Sequence, residues 1–195
     1  MTSLSNNTRK KLIPALLIVA FVLLSGISLH YIIKLQGHAR AINYTGIVRG
    51  ATQQLVKQEL RRIPDDLLIK RLDGIIYELS GGNGQNELVV LDDADYQNLL
   101  HEMQTQWETM KAEIHKVRNG AHTDRLFELS ENYFVLANQA VTAAEQYSEK
   151  VLRRTWAWVI GLNVVFISLV ILFYLLSSRQ RKLSQDLVAA ENASK

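Results

Sequence analysis

The stretch YQNLLHEMQTQWETMKAEIHKVRNG, residues 96–120, carries apolar side chains at alternating steps of four and three residues. This spacing places them on one face of an α-helix, which repeats every ~3.6 residues. Asp92 or Asp93 can cap the start of that helix, and Asn119–Gly120 is a signal for its end. The face comprises Tyr96, Leu100, Met103, Trp107, Met110, Ile114 and Val117. The stretch therefore predicts a long helix with one buried face.

Three more helical patterns surround this helix. One begins after Thr123 and meets no Pro or Gly before Gly161, so we expect an unbroken helix that enters an apolar segment. Its stripe comprises Leu126, Ser130, Tyr133, Ala137, Ala140, Ala144, Tyr147 and Val151. A shorter helix is predicted between Asp65 and Leu79, with Pro64 in its first turn. Together with a first helix that reaches Ile63, these patterns predict an all-α, antiparallel four-helix bundle.

The first of these helices shows apolar positions on two faces. The main stripe comprises Ile42, Gly46, Arg49, Gln53, Val56, Leu60 and Ile63, and a second line comprises Val48, Ala51 and Leu55. Two such faces indicate contacts both within the bundle and with a second copy, so we expect a homodimer. Ser80–Gly84 predicts a loop. For Glu87–Leu91 the sequence leaves a short extended piece and an irregular connection equally open.

Two segments of 22 residues each, 12–33 and 155–176, contain no Lys, Arg, Asp or Glu. About 20 apolar residues suffice for a helix to cross the hydrocarbon core of a bilayer. Both segments are therefore predicted to be transmembrane helices. For the first, a cleaved signal peptide is the alternative, but the apolar run continues beyond the small residues 25–28.

The charges beside these segments predict their orientation. Residues 1–11 carry 3 basic and no acidic side chains, and residues 177–195 carry 4 basic and 2 acidic ones. Residues 34–154 hold 15 basic and 17 acidic side chains. Because cytoplasmic flanks are enriched in Lys and Arg, both tails are predicted to be cytoplasmic and residues 34–154 to form an extracytoplasmic domain. We thus expect a multi-pass protein of the cell (inner) membrane, with the lipid bilayer as its surroundings.

Composition excludes several functional classes. The chain of 195 residues has no cysteine, which excludes disulfides, thiolate zinc sites and cysteine nucleophiles. Its net charge of +3 is too small to indicate nucleic-acid binding. No phosphate-binding loop, nucleophile motif or histidine pair at metal-ligand spacing occurs. We therefore predict no catalytic, cofactor-binding or metal-binding residues in this chain.

Arg49 occupies a stripe position where a hydrophobic residue is expected. In one interpretation it lies at the edge of the bundle, or forms a salt bridge with Glu102 or Glu108. In the other it binds an anion, with Gly46 one turn away allowing close approach to the backbone. In a parallel dimer, two copies of Arg49 facing each other would repel unless a planar anion bridged them.

The residues around Arg49 also resemble a known family. The stretch AINYTGIVR, residues 41–49, is similar to the ligand-box segment of nitrate/nitrite sensor histidine kinases, whose four-helix sensor also occurs in type IV pilus chemotaxis transducers. The resemblance implies that Ile42, Asn43, Gly46 and Arg49 form the ligand-binding site, in which Arg49 from both subunits holds a small anion such as nitrate. Residues 50–52 differ from those usual in nitrate sensors, which leaves the ligand open.

Residues 177–195 indicate how the chain would connect to a cytoplasmic output domain. Leu183, Leu187, Ala190 and Ser194 continue a 4, 3, 4 spacing that is typical of a coiled coil. The segment resembles the signalling linker that precedes the dimerisation helix of hybrid histidine kinases. We therefore expect the input region of a two-component receptor, with its catalytic output beyond residue 195. A diguanylate cyclase or chemotaxis output, or a membrane-tethered bundle that binds a protein partner, are the alternatives.

Overall fold

The computed structural model describes residues 6–81 and 83–193, and over this range the protein is all-helical. Its helices are α1 (Asn6–Leu60), α2 (Asp66–Gly81), α3 (Ala94–Arg118) and α4 (Asp124–Ala193). No strand occurs in the described part of the chain. The predicted all-α class is confirmed. Gly82 of the predicted loop and Ser194 of the predicted linker lie outside the described residues, as do residues 1–5 and 195.

The chain divides into two compact units. Ile33–Arg153 forms one unit, which we call the sensor unit after the role that the sequence predicts for it, and Met1–Ile32 together with Arg154–Lys195 forms the other, the terminal unit. Helices α1 and α4 are each long and apolar enough to cross a membrane. Most large apolar side chains in residues 16–32 and 156–176 are exposed, as lipid-facing side chains would be. Within the terminal unit, the rings of Phe21 and Phe166 lie 6.1 Å apart, so the two apolar segments contact each other.

The core of the sensor unit receives side chains from all four helices. From α3, the predicted stripe is buried from Tyr96 to Ile114. From α4, the buried face runs from Leu126 to Ala144, also as its spacing predicts. Its small residues are Ala137, Ala140 and Ala144, which let neighbouring helices approach closely. Helix α2 adds Leu72, Ile75, Ile76 and Leu79.

Helix α1 has two apolar lines in its sequence, and the structure shows which side chains enter the core. Its buried side chains in the sensor unit are His38, Ala41, Thr45, Val48, Thr52, Leu55, Val56 and Glu59. The predicted main stripe is half-buried at Ile42, Gly46, Arg49 and Gln53, and exposed at Ile63. Two threonines are accepted in the core because each hydroxyl donates to the carbonyl one turn earlier, Thr45 to Ala41 and Thr52 to Val48. The core thus receives Val48 and Leu55 of the second line and Val56 of the main stripe, while most of the main stripe lies at the edge of the core.

The helix ends are set by local hydrogen bonds. The Asp93 carboxylate accepts from the Tyr96 amide at 3.0 Å and caps α3, as predicted. The Asp65 carboxylate caps α2 in the same way, accepting from the Leu68 amide at 2.9 Å. The prediction that Pro64 lies in the first turn of α2 is therefore wrong, because the cap is Asp65 and the helix begins after it.

The end of α1 also differs from the prediction. The helix stops at Leu60 rather than Ile63, because Arg62 adopts a left-handed backbone with φ of 61°. The Ile63 amide then turns back to the Gln58 carbonyl at 2.9 Å. In the connection between α3 and α4, Gly120 has φ of 98°, a conformation that glycine adopts most easily.

The connection between α2 and α3 is fixed by one buried carboxylate. The Glu78 side chain accepts hydrogen bonds from the Leu88 amide at 2.9 Å and from the amide and side chain of Asn86 at 3.1 and 2.7 Å. Burial alone would raise the pKa of Glu78, but these hydrogen bonds outweigh it and hold the pKa below its usual value. Because the backbone of residues 86–88 pairs with Glu78, residues 87–91 form an irregular connection, not a strand. Ser80 and Gly81, predicted to start this loop, instead belong to α2.

Candidate functional site

Arg49 lies on α1 at the edge of the core, beside α4. Its guanidinium donates a hydrogen bond to the Asn138 side-chain oxygen and lies over the Phe134 ring, 5.8 Å from the ring centre. Asn138 and Phe134 are one turn apart on α4, so a single face of that helix receives the arginine. Arg49 is half-buried. The arginine thus connects α1 to α4 while part of its surface stays accessible.

The salt bridges considered for Arg49 are not formed. Glu108 pairs instead with Lys111 at 2.8 Å, and Glu102 accepts from Gln106 on its own helix. Within the described residues, no carboxylate forms an ion pair with Arg49. Its partners are an amide oxygen and an aromatic ring, which leave the positive charge unneutralised.

The other predicted ligand residues surround Arg49 unevenly. Gly46 lies one turn before it, and a side-chain carbon built at Gly46 meets no atom within 4 Å. The same is true of Gly50. Asn43 is exposed, whereas Ile42 packs against the core. Gly46, Arg49 and Asn43 therefore share an accessible stretch of α1, and Ile42 supports it from the core side.

The charge of this part of α1 favours anions. Residues 34–58 contain Lys34, Arg40, Arg49 and Lys57 but no Asp or Glu. Arg40 is paired with Glu87 at 3.0 Å. A groove of about 360 Å³ lies on α1 and the turn after it; Arg49 does not line it, and its lining residues are Gly50, Gln53, Gln54, Lys57, Gln58 and Arg61. This groove offers cationic and amide donors and no carboxylate.

A second depression, of about 410 Å³, lies on α4 and shares Phe134 and Asn138 with the arginine site. Its other lining residues are Asp95, Val135, Gln139, Thr142, Ala143 and Gln146. The Asp95 carboxylate opposes an anion on this side. The depression that shares the partners of Arg49 thus carries a carboxylate, whereas no carboxylate lines the groove on α1.

The opposite face of α1 is built for stability. The Tyr96 hydroxyl and the Thr45 hydroxyl are 2.8 Å apart and form a buried hydrogen bond. Burial raises the pKa of Tyr96 to about 12, and the bond to Thr45 partly offsets the effect. Burial likewise raises the pKa of Tyr133, with Thr52 as its hydroxyl neighbour. Both phenols stay protonated at physiological pH, so neither of them serves as a base.

Sequence reasoning found Arg49 and missed its partners on α4. Phe134 and Asn138 fall between the predicted core positions of that helix, so the apolar stripe does not mark them. A Phe outside the apolar stripe, one turn before an Asn, was the available signal in the sequence. In comparison with known proteins, the chain matches no family model, and no curated protein matches it significantly.

Proposed function

We propose that this chain is the transmembrane input module of a bacterial signalling receptor, a sensor histidine kinase in the first instance. In this proposal the sensor unit is an antiparallel four-helix bundle outside the inner membrane, and both termini are cytoplasmic. It binds a small anion at Arg49, with Gly46, Asn43 and Ile42 around it. The module itself performs no catalysis and passes a helix displacement to a cytoplasmic output domain.

The observation that carries the proposal is the place of Arg49 between α1 and α4. These are the two helices that each contain an apolar segment long enough to cross a membrane. An anion that replaced Asn138 as the partner of the Arg49 guanidinium would break a polar contact between α1 and α4. A ligand shifts an equilibrium only when it binds one arrangement better than the other, and an exchangeable arginine contact provides such a difference.

A homodimer is part of the proposal. Gly46 and Gly50 lie one turn apart, and in the single chain nothing packs against either. A glycine in a helix interior costs ~1 kcal/mol relative to alanine, so two open glycines on one face favour a neighbouring chain at that place. Two copies of α1 meeting there would bring two Arg49 residues together. A bridging anion with two or more oxygens would offset their repulsion.

The proposed type of output domain rests on the sequence resemblance alone. The ligand-box pattern at residues 42–49 supports a histidine kinase, while a diguanylate cyclase or chemotaxis transducer would use the same input module. Charge supports the topology: the basic tails and the net acidic middle segment are arranged as cytoplasmic and extracytoplasmic parts usually are.

The test is thermal unfolding of the full chain in lipid nanodiscs with a panel of anions that includes nitrate, nitrite, sulfate and acetate. A ligand at 100 times its dissociation constant stabilises the folded state by ~2.7 kcal/mol. We expect one anion to raise the unfolding midpoint and Arg49→Ala to abolish the shift. Arg71→Ala, at an exposed position on α2, is the matched control and should keep it.

Two results would contradict the proposal. If no anion shifts the midpoint of a folded protein, Arg49 is a structural residue, and a bundle that binds a protein partner becomes the better function. If an anion stabilises Arg49→Ala as much as the unchanged protein, the ligand binds elsewhere. Gly46→Ala tests the dimer, because within one chain it meets no atom and should stabilise α1 slightly. Weaker association in Gly46→Ala would support the dimer face, and unchanged association would argue against it.

A further inference from the structure

The first turns of α1 in the sensor unit bury a histidine. His38 is 2% exposed, and its ring lies 5.5 Å from the ring of Tyr147 on α4. Its Nδ1 atom is buried and has no hydrogen-bond partner in the described part of the chain. A buried polar atom without a partner costs stability, and sequences rarely keep one without a reason. The next buried side chain on this face of α1, Ala41, is apolar.

The groups around the ring do not favour a positive charge. On α1, Lys34 lies one turn before His38 and opposes protonation. On α4, the titratable side chain whose ring faces His38 is Tyr147. In the connection between α2 and α3, Val89 packs against Gly37, while Glu87 is turned to Arg40. Among the described residues, no carboxylate forms a salt bridge or hydrogen bond with His38.

We propose that His38 makes the sensor unit responsive to acid, because a proton on its ring would place an unpaired charge inside the contact between α1 and α4. The imidazolium would then be solvated only if the two helices separated at this level. The contact involves the same two helices as Arg49, but it lies near the start of the sensor unit. The proton is thus an input that does not depend on an anion site at Arg49.

The direction of the pH effect follows from the environment of the ring. Burial, and then the charge of Lys34, lower the pKa of His38 from its usual 6.5. A base whose pKa is lowered by folding takes up its proton more readily in the separated or unfolded state. The contact is therefore fully stable above pH 6.5 and weakens as the pH falls below that value. Glu78 acts in a separate range, because its pKa lies below 4.5.

The test uses the full chain in nanodiscs at pH 7.5 and pH 5.0. The chain has no cysteine, so spin labels can be placed on cysteines introduced at Ala39 of α1 and Gln146 of α4, both exposed. We expect the distance distribution between the labels to broaden or lengthen at pH 5.0. The unfolding midpoint should fall over the same range, because the lowered pKa of His38 favours the protonated, separated state in acid.

Two substitutions remove the titration in different ways. His38→Gln keeps a polar side chain and His38→Leu an apolar one of similar size, so at least one should fold. In either, we expect equal distances at both pH values, whereas His122→Gln, at an exposed position, should behave as the unchanged protein. If the folded His38 variants keep the pH response, or if acid lowers the midpoint without altering the distances, the proposal is overturned.

Discussion

The pair formed by Glu59 and Arg118 gives the most direct test of how the sensor unit is held together. The Glu59 side chain on α1 is 1% exposed and accepts two hydrogen bonds from the Arg118 guanidinium on α3, at 2.6 and 2.9 Å. A third nitrogen of the same guanidinium donates to Asp66 on α2 at 2.7 Å. Replacing Arg118 by alanine therefore removes the hydrogen bonds that join α3 to both α1 and α2 at this place.

The expected cost follows from burial. Without Arg118 the Glu59 carboxyl group loses its ionic partner in a nearly water-free position, and breaking a buried pair in this way costs about 3–5 kcal/mol. Asp66 is 79% exposed, so its share of the network is at most about 1 kcal/mol. When both Glu59 and Arg118 are replaced by leucine, no buried charge remains, and the double variant should be more stable than Arg118→Ala alone.

The measurement is unfolding of the full chain in nanodiscs, followed by the fluorescence of Trp107. That residue is 2% exposed in the core of the sensor unit, and replacing Trp156 and Trp158 by phenylalanine makes it the sole reporter. For a unit of this size, a loss of 3–5 kcal/mol lowers the midpoint by roughly 10–20 °C. Arg125→Ala, at an exposed position 3.6 Å from Glu113, should lower it by less than about 3 °C.

Two results would refute this reasoning. If Arg118→Ala unfolds within about 2 °C of the unchanged protein, water or another cation reaches Glu59, and the carboxylate is not buried in solution. If Asp66→Asn costs as much as Arg118→Ala, the exposed bond and not the buried one dominates the network.

Three further predictions concern single contacts. Glu78→Gln should cost about 1–3 kcal/mol of unfolding free energy at pH 7. Because folding lowers the pKa of Glu78, the stability difference between the unchanged protein and this variant should disappear as the pH falls below 4.5, and chemical unfolding at pH 7 and pH 3.5 checks both expectations. Gly37→Ala would place a carbon 2.8 Å from Val89 and should cost about 1–3 kcal/mol, and calorimetry should find the loss relieved when Val89→Ala is added. Tyr96→Phe should cost only about 1 kcal/mol, because Thr45 keeps its bond to Ala41; a midpoint loss like that of Arg118→Ala would contradict this.

The sequence predicted the helices well because their periodicity and their caps are local signals. The face of α3 from Tyr96 to Ile114, the cap at Asp93 and the start of α4 after Thr123 each depend on a few neighbouring residues. The end of α1 was less predictable. A left-handed residue at a helix end is usually glycine, and here it is Arg62, so the signal for the end is missing from the sequence.

The sequence left open which face of α1 enters the core, for a physical reason. Hydrophobicity marks both apolar lines of the helix, whereas the core also accepts Thr45 and Thr52. Those hydroxyls satisfy themselves within the helix or against a phenol, so they enter the core at little cost. The burial of Glu59 could not be predicted from the sequence either, since its partner Arg118 is 59 residues away. The burial of a polar side chain whose partner is distant in the sequence can be recognised only from the three-dimensional structure.

The division of α1 into two faces also bears on how a ligand at Arg49 would act. On the core face, buried side chains such as Val48 and Leu55 hold the helix, and each is worth about 1.5–3 kcal/mol. At the edge, Arg49 contributes one hydrogen bond and one ring contact, about 1–3 kcal/mol together. An anion of micromolar affinity gains ~8 kcal/mol, which exceeds the edge contacts but not the summed core. In the proposed receptor, the signal would therefore be a rearrangement of the edge between α1 and α4 around an intact core, and variants at Asn138 should alter the response without unfolding the protein.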